Sequence, residues 1–144
     1  MVEALGIASS IAGLLNLTIT VMDISFRYIS NVHGASKGIS AYLQELADLK
    51  TLLIKLNELA QSPDTVDIFR EHSPTLLSIV SIDRCQAEME RLRLKLEMQT
   101  KGKLLLSTFN RLFWPFAEEE TRRLVETIHR YRSYFQTALS ADGL

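Results

Sequence analysis

The sequence predicts an all-α chain, an antiparallel four-helix bundle with an additional short helix before the last helix. Three observations predict it. Apolar residues recur in steps of three and four along most of the chain, no stretch alternates apolar and polar residues over a strand length, and turn formers cluster at few places. The 144 residues suit one domain with a real core. Residues 1–140 are therefore expected to form the bundle, and 141–144 a frayed tail or linker stub.

Leu5, Ala8, Ala12, Leu15, Ile19, Met22, Phe26 and Ile29 make one face of a long first helix ending near residue 31. Ile7, Ile11, Leu14, Val21 and Tyr28 add a second apolar row, so this helix needs cover over most of its circumference. A third row, Gly6, Ser9, Gly13, Asn16, Thr20, Asp23 and Arg27, is small at its start and charged at its end. The turn formers between Asn31 and Gly38 stop the helix, and Ser36 can cap the next.

In the second helix Tyr42, Leu46, Leu49, Leu53, Leu56 and Ala60 repeat in heptad fashion, with Gln44, Glu45, Asp48, Lys50, Lys55 and Glu58 in outer positions. Ser62, Pro63 and Asp64 signal a stop, and Ser73 before Pro74 signals a third helix. Its stripe is Ile82, Cys85, Met89, Leu92 and Leu96, Glu97 and Lys101 are spaced to pair, and Gly102 is expected to break or kink it. Residues 104–113 suit the short extra helix, which Trp114, Pro115 and Phe116 interrupt as a bulky hinge. Glu118, Glu119 and Glu120 complement the dipole at the start of the last helix. Glu118 with Arg122, Glu119 with Arg123 and Glu126 with Arg130 stand four apart, and the core row is Leu124, Ile128, Tyr131, Phe135 and Leu139.

Composition narrows the function. A net charge of −1 disfavours nucleic acid as the main partner. The single cysteine, Cys85, excludes an internal disulfide and suits a reducing compartment. No Lys or Arg precedes Arg27, so the basic start of a secretory signal is missing and a cytoplasmic location is expected. His33, His72 and His129 are scattered without metal-ligand spacing, Cys85 lies on an apolar row without a histidine partner, and no glycine-rich phosphate loop occurs. No catalytic site, metal, cofactor or small-molecule substrate is expected.

Two features point toward membranes. Residues 4–22 carry no charged side chain; a helix of that length rises roughly 28 Å, close to the hydrocarbon thickness of a bilayer. Ser9, Ser10, Asn16, Thr18 and Thr20 dilute the stretch, and the central helix of a soluble bundle has the same all-round apolarity. Between Arg84 and Arg111 seven basic residues face three acidic ones, which gives either a solvated face or an attraction for anionic headgroups.

The opening run from Glu3 to Leu14, EALGIASSIAGL, resembles the start of the HeLo-like N-terminal domains of fungal STAND receptors, the NOD-like proteins of fungi. The resemblance continues through Tyr42, Leu43, Gln44, Glu45 and Leu46, the patterned third helix, and the run Arg111, Leu112, Phe113, Trp114, Pro115, Phe116 before an acidic helix start. It covers nearly the whole chain. It implies an effector bundle related to HeLo domains and to mixed-lineage kinase domain-like four-helix bundles, which act in programmed cell death, heterokaryon incompatibility and innate immunity.

What the resemblance implies is clustering, release of the first helix, and membrane permeabilisation at the plasma membrane. Leu5, Ile7, Ile11, Leu14, Leu15 and Ile19 are then the expected membrane-inserting residues, and Gly6, Ser9 and Gly13 the helix-packing ones. Arg91, Lys95, Lys101 and Lys103 are expected at lipid headgroups, with anionic lipid and further copies of the chain as partners. Apart from the resemblance, the bulk of Trp114, Pro115 and Phe116 suits either ordinary packing or a latch that locks the last helix over the first. The alternative expectation is a soluble adaptor that binds a like domain without touching lipid and keeps the first helix as permanent core.

Overall fold

The computed structural model describes residues 2–29, 37–61, 79–106 and 114–141; the side chains of 2–7, 29, 79–80, 99–106, 138 and 140–141 lie outside that description. Four helices occupy the described residues: α1 (Val2–Ile29), α2 (Lys37–Gln61), α3 (Ile79–Leu106) and α4 (Glu118–Ala141). No strand occurs among them. The fold is an antiparallel four-helix bundle.

Consecutive helices reverse direction, yet they do not all stand side by side. α1 packs against α2 and α3, while α2 packs against α1 and α4. Around the bundle the order is therefore α3, α1, α2, α4, with α2 diagonal to α3. Gly13 lies beside Gln86 and Tyr28 reaches Leu96, so α1 and α3 are parallel neighbours. Residues 62–78 separate α2 from α3, ample chain for a diagonal step. The expected helix start at Ser73 and Pro74 lies outside the described residues. α3 runs through Gly102 to Leu106 without a break, and the rest of the expected short extra helix, 107–113, also lies outside.

Helical periodicity accounts for the core. Tyr42, Leu46, Leu49, Leu53, Leu56 and Ala60 of α2 are buried, as are Ile82, Cys85, Met89, Leu92 and Leu96 of α3. α4 contributes Ile128, Phe135 and Leu139, with Leu124 and Tyr131 packed against them. In α1 it is the second apolar row that faces inward: Ile11, Leu14, Val21 and Tyr28 are fully buried together with Thr18 and Ser25. Ala8, Leu15 and Met22 flank that row, and Ser9, Asn16, Thr20, Asp23, Phe26 and Arg27 face water.

The charge pairing differs in detail from the four-residue spacing. Arg122 bridges Glu119 and Glu126, Arg123 lies 3.6 Å from Glu119, and Glu97 accepts from Arg93 at 2.7 Å. Between helices, Arg132 Nε donates to Glu45 at 2.8 Å, and His129 Nδ1 stands 3.0 Å from the same carboxylate. The Glu45 side chain is only 15% exposed. Burial pushes its carboxyl up, but hydrogen bonds from Arg132 and His129 outweigh this and hold its pKa below the ordinary value of 4.5.

A depressed carboxylate pKa contributes stability that is present above the unfolded-state pKa and is lost as pH falls through the folded-state one. Glu45→Gln should therefore lower stability by about 1–2 kcal/mol at neutral pH. The difference from the parent chain should shrink as pH falls below 4.5. Urea unfolding from pH 7 to pH 3 checks both.

Candidate functional site

The candidate site is α1 with the groups that hold it. Ala8–Tyr28 is long and apolar enough to cross a membrane, with a mean hydropathy of 1.4, though a core helix of a soluble bundle meets the same test. Along residues 8–21 the described hydrogen bonds stay inside the helix: Thr18 Oγ1 donates to Leu14 O at 2.8 Å, and Thr20 Oγ1 to Asn16 O at 3.0 Å. Among the described residues this part is fixed to its neighbours by packing, without a described interhelical hydrogen bond.

The C-terminal end of α1 is held differently. The Ser25 hydroxyl pairs with the Tyr42 hydroxyl of α2 at 2.7 Å, and Tyr28 Oη donates to Leu96 O of α3 at 2.6 Å. All three side chains are fully buried. Burial pushes the Tyr42 hydroxyl pKa well up, with the Ser25 contact only partly opposing it, so Tyr42 stays a neutral hydrogen-bonding partner.

Trp114 backs both tyrosines. Its ring centroid is 5.1 Å from that of Tyr42 and 6.3 Å from that of Tyr28, both edge-on, and 5.3 Å from that of Phe116. Its Nε1 donates to Thr121 Oγ1 at 2.9 Å, and Thr121 Oγ1 donates to Ala117 O at 3.0 Å. Residues 114–117 are not helical and form a short strap ahead of α4, because Pro115 cannot donate to a helical ladder. Lys95 of α3 fastens the strap from outside: its Nζ lies 4.8 Å over the Phe116 ring and 2.6 Å from Glu120 Oε2. That hydrogen bond holds the Glu120 carboxyl below its ordinary pKa, and the Ala117 N–H assists by donating to Glu120 as in one half of a capping box.

The expected site residues are distributed as follows. Ile11 and Leu14 are core, Leu15 and Ile19 are half-buried, and Leu5 and Ile7 lie in α1 with side chains outside the description. Ser9 is exposed, Gly6 is outside the side-chain description, and the Gln86 amide comes within 3.5 Å of where a Cβ on Gly13 would be. Gly13 thus faces a side chain of α3 rather than a backbone. Arg91 is 75% exposed beside Glu88, while Lys95 is engaged with Glu120; Lys101 and Lys103 belong to the last turns of α3, side chains again outside. Trp114 and Pro115 are half-buried and Phe116 is buried.

Sequence reasoning missed Ser25, Tyr42 and Thr121 as polar anchors, since a serine or tyrosine on an apolar row gives no sign of its partner. It also missed the groove between α3 and α4, about 210 Å³ in volume, lined by Met89, Leu92, Leu124, Thr127, Ile128 and Tyr131 with Glu88 and Arg123 at its edge. Among the described residues no three His, Cys, Asp or Glu side chains come together as metal ligands. Burial, with Glu88 nearby, pushes the Cys85 thiol up to about 12, leaving it a poor nucleophile. Comparisons with protein-family models, with curated proteins and with solved structures find no match.

The pair of hydroxyls gives an asymmetric expectation. Ser25→Ala strands the Tyr42 hydroxyl in the core and should cost about 1–3 kcal/mol. Tyr42→Phe should cost less for the lost bond, because Ser25 can turn to a carbonyl one turn back in its own helix. Equal losses in a urea-unfolding double-mutant cycle would contradict this reading of the tie.

Proposed function

We propose that this bundle is an effector and signalling domain of a fungal immune-receptor-like protein, which on oligomerisation targets and permeabilises a membrane through α1. The observation that carries the reading is the hydrogen bonding of α1. Residues 8–21 carry no charge and their described hydrogen bonds lie within their own helix, so transfer of this stretch to hydrocarbon breaks no interhelical hydrogen bond among the described residues. The resemblance of the opening run to HeLo-like domains supports the same assignment.

Magnitudes set the conditions for release. Exposing the buried Ile11, Leu14 and Val21 to water costs about 1.5–3 kcal/mol each, so α1 does not leave the bundle for water. A bilayer offsets that cost, and clustering supplies neighbouring copies to cover the floor that α1 vacates on α2 and α3. The resting domain is cytoplasmic in this scheme and is recruited to the plasma membrane when clustered. Exposed Arg91, with Lys95, Lys101 and Lys103 on the same helix, favours an anionic leaflet. Regulated cell death is the output that permeabilisation would produce.

The full burial of Ile11, Leu14 and Val21 favours a second reading. In it α1 is permanent core, and the domain is a soluble adaptor that binds like domains through its other helices.

Asn16 separates the two. It is exposed in the bundle, so Asn16→Asp should change stability by no more than about 0.5 kcal/mol. At the centre of a bilayer the same aspartate costs about 2.5–3.5 kcal/mol, on the order of a 100-fold loss in insertion. Dye release from anionic liposomes by artificially clustered protein should fall accordingly, and should be absent without clustering or after deletion of residues 2–22. Leakage undiminished by Asn16→Asp in a folded protein would sink the membrane reading, and no leakage by the parent chain under any condition would favour the adaptor.

A further inference from the structure

Two described hydrogen bonds tie α1 to its neighbours, both made by tyrosines, and one ring stands behind both. Tyr42 holds Ser25, Tyr28 holds the Leu96 carbonyl, and Trp114 packs edge-on against each. Trp114 is set in place from the α4 side by Thr121 and from within the strap by Phe116. What fastens the strap to α3 is on the surface: Lys95 covers the Phe116 ring and is kept there by Glu120 in the first turn of α4, the two side chains being half-exposed at 50% and 45%. A solvent-accessible ion pair is thus linked through Phe116 and Trp114 to the two tyrosines that anchor α1.

We propose that residues 114–117 are an autoinhibitory clasp on α1, and that Lys95, kept over the Phe116 ring by its exposed pairing with Glu120 of α4, is its fastening. An anionic surface that competes with Glu120 for Lys95 loosens Phe116 and Trp114. The tyrosines then lose their backing, and the end of α1 is freed while α2, α3 and α4 stay packed. The clasp deepens the reading in which α1 leaves the bundle and rests on it for its purpose. Its consequence for the free protein can be tested without any membrane. It gives Lys95 a place in sensing an anionic partner that Arg91, on the same helix but off the strap, does not have.

The test is amide hydrogen exchange of the full chain in the absence of lipid, read helix by helix. Lys95→Gln removes an exposed contact and leaves the core alone, so it should speed exchange in α1 by about two- to fivefold, the size an exposed ion pair supports. Arg122→Gln is the control: it breaks equally exposed bridges to Glu119 and Glu126 on α4 without touching the strap, and α1 should exchange as in the parent. Trp114→Leu keeps an apolar side chain under the tyrosines but removes the ring contacts, and should raise α1 exchange roughly tenfold. If that variant fails to fold, Lys95→Gln decides alone. An effect of Lys95→Gln no larger than that of Arg122→Gln, or one spread equally over all four helices, overturns the clasp. Liposome leakage is read separately: a chain that never leaks sinks the membrane reading and leaves the clasp standing, and a leaking chain without α1-selective exchange does the reverse.

Discussion

The Ser25–Tyr42 and Tyr28–Leu96 hydrogen bonds decide how α1 sits, and the rest of the bundle is arranged around that placement. α1 carries two adjacent apolar rows, so hydrophobic burial alone would accept either row toward the core. Directional bonds remove the choice. Turning the first row inward would carry the Ser25 and Tyr28 hydroxyls away from Tyr42 and Leu96, and each stranded buried group costs about 1–3 kcal/mol. With α1 so oriented, Thr18 and Ser25 can occupy core positions, and α2 and α3 take opposite flanks of the same helix. α4 then completes the bundle from the far side of α2, and the strap ahead of it reaches the two tyrosines.

Much of this was legible in the sequence, because amphipathic helices announce their buried face. The rows from Tyr42 to Ala60 and from Ile82 to Leu96 are buried residue for residue. Three features were not legible. α1 is apolar over too much of its circumference for periodicity to rank its rows, so the inward placement of Ile11, Leu14 and Val21 depended on tertiary partners. The diagonal relation of α2 and α3 depends on how far the chain travels between them, and short-connection reasoning favours neighbours that are adjacent. Glu45 occupies an outer heptad position by pattern, yet it is largely buried by Arg132 and His129 across the α2–α4 seam. A charged side chain gives no sequence sign of such a partner.

The candidate site was legible in part. The uncharged run of α1 and the run of Trp114, Pro115 and Phe116 stand out from the sequence, but their relation does not. Trp114 touches Tyr28 and Tyr42, and only the folded chain shows that these same tyrosines hold α1. The uneven distribution of forces follows from composition: apart from the exposed Asn16, residues 8–21 of α1 have little except apolar groups and small hydroxyls to offer, and the polar anchors come at its end. Such a helix is stable where it is because water is the alternative. In contact with hydrocarbon that preference weakens along residues 8–21 and persists at residues 25–28. As long as the bonds of Ser25 and Tyr28 hold, this distribution of forces favours a hinge near residues 25–28, with the N-terminal part of α1 leaving first.

The central claim is that α1 exchanges a protein core for a lipid one, and a probe on α1 tests it most directly. Asn16→Cys places a thiol on the exposed face of the resting helix, while Cys85 is buried with its pKa pushed up to about 12, so an environment-sensitive fluorophore can be attached at the new position alone. Clustered protein on anionic vesicles should show the blue shift of a probe entering hydrocarbon, together with quenching by lipid-borne quenchers placed deep in the acyl region. Unclustered protein should show neither. A probe that remains in water while the vesicles bind protein or leak would contradict the account.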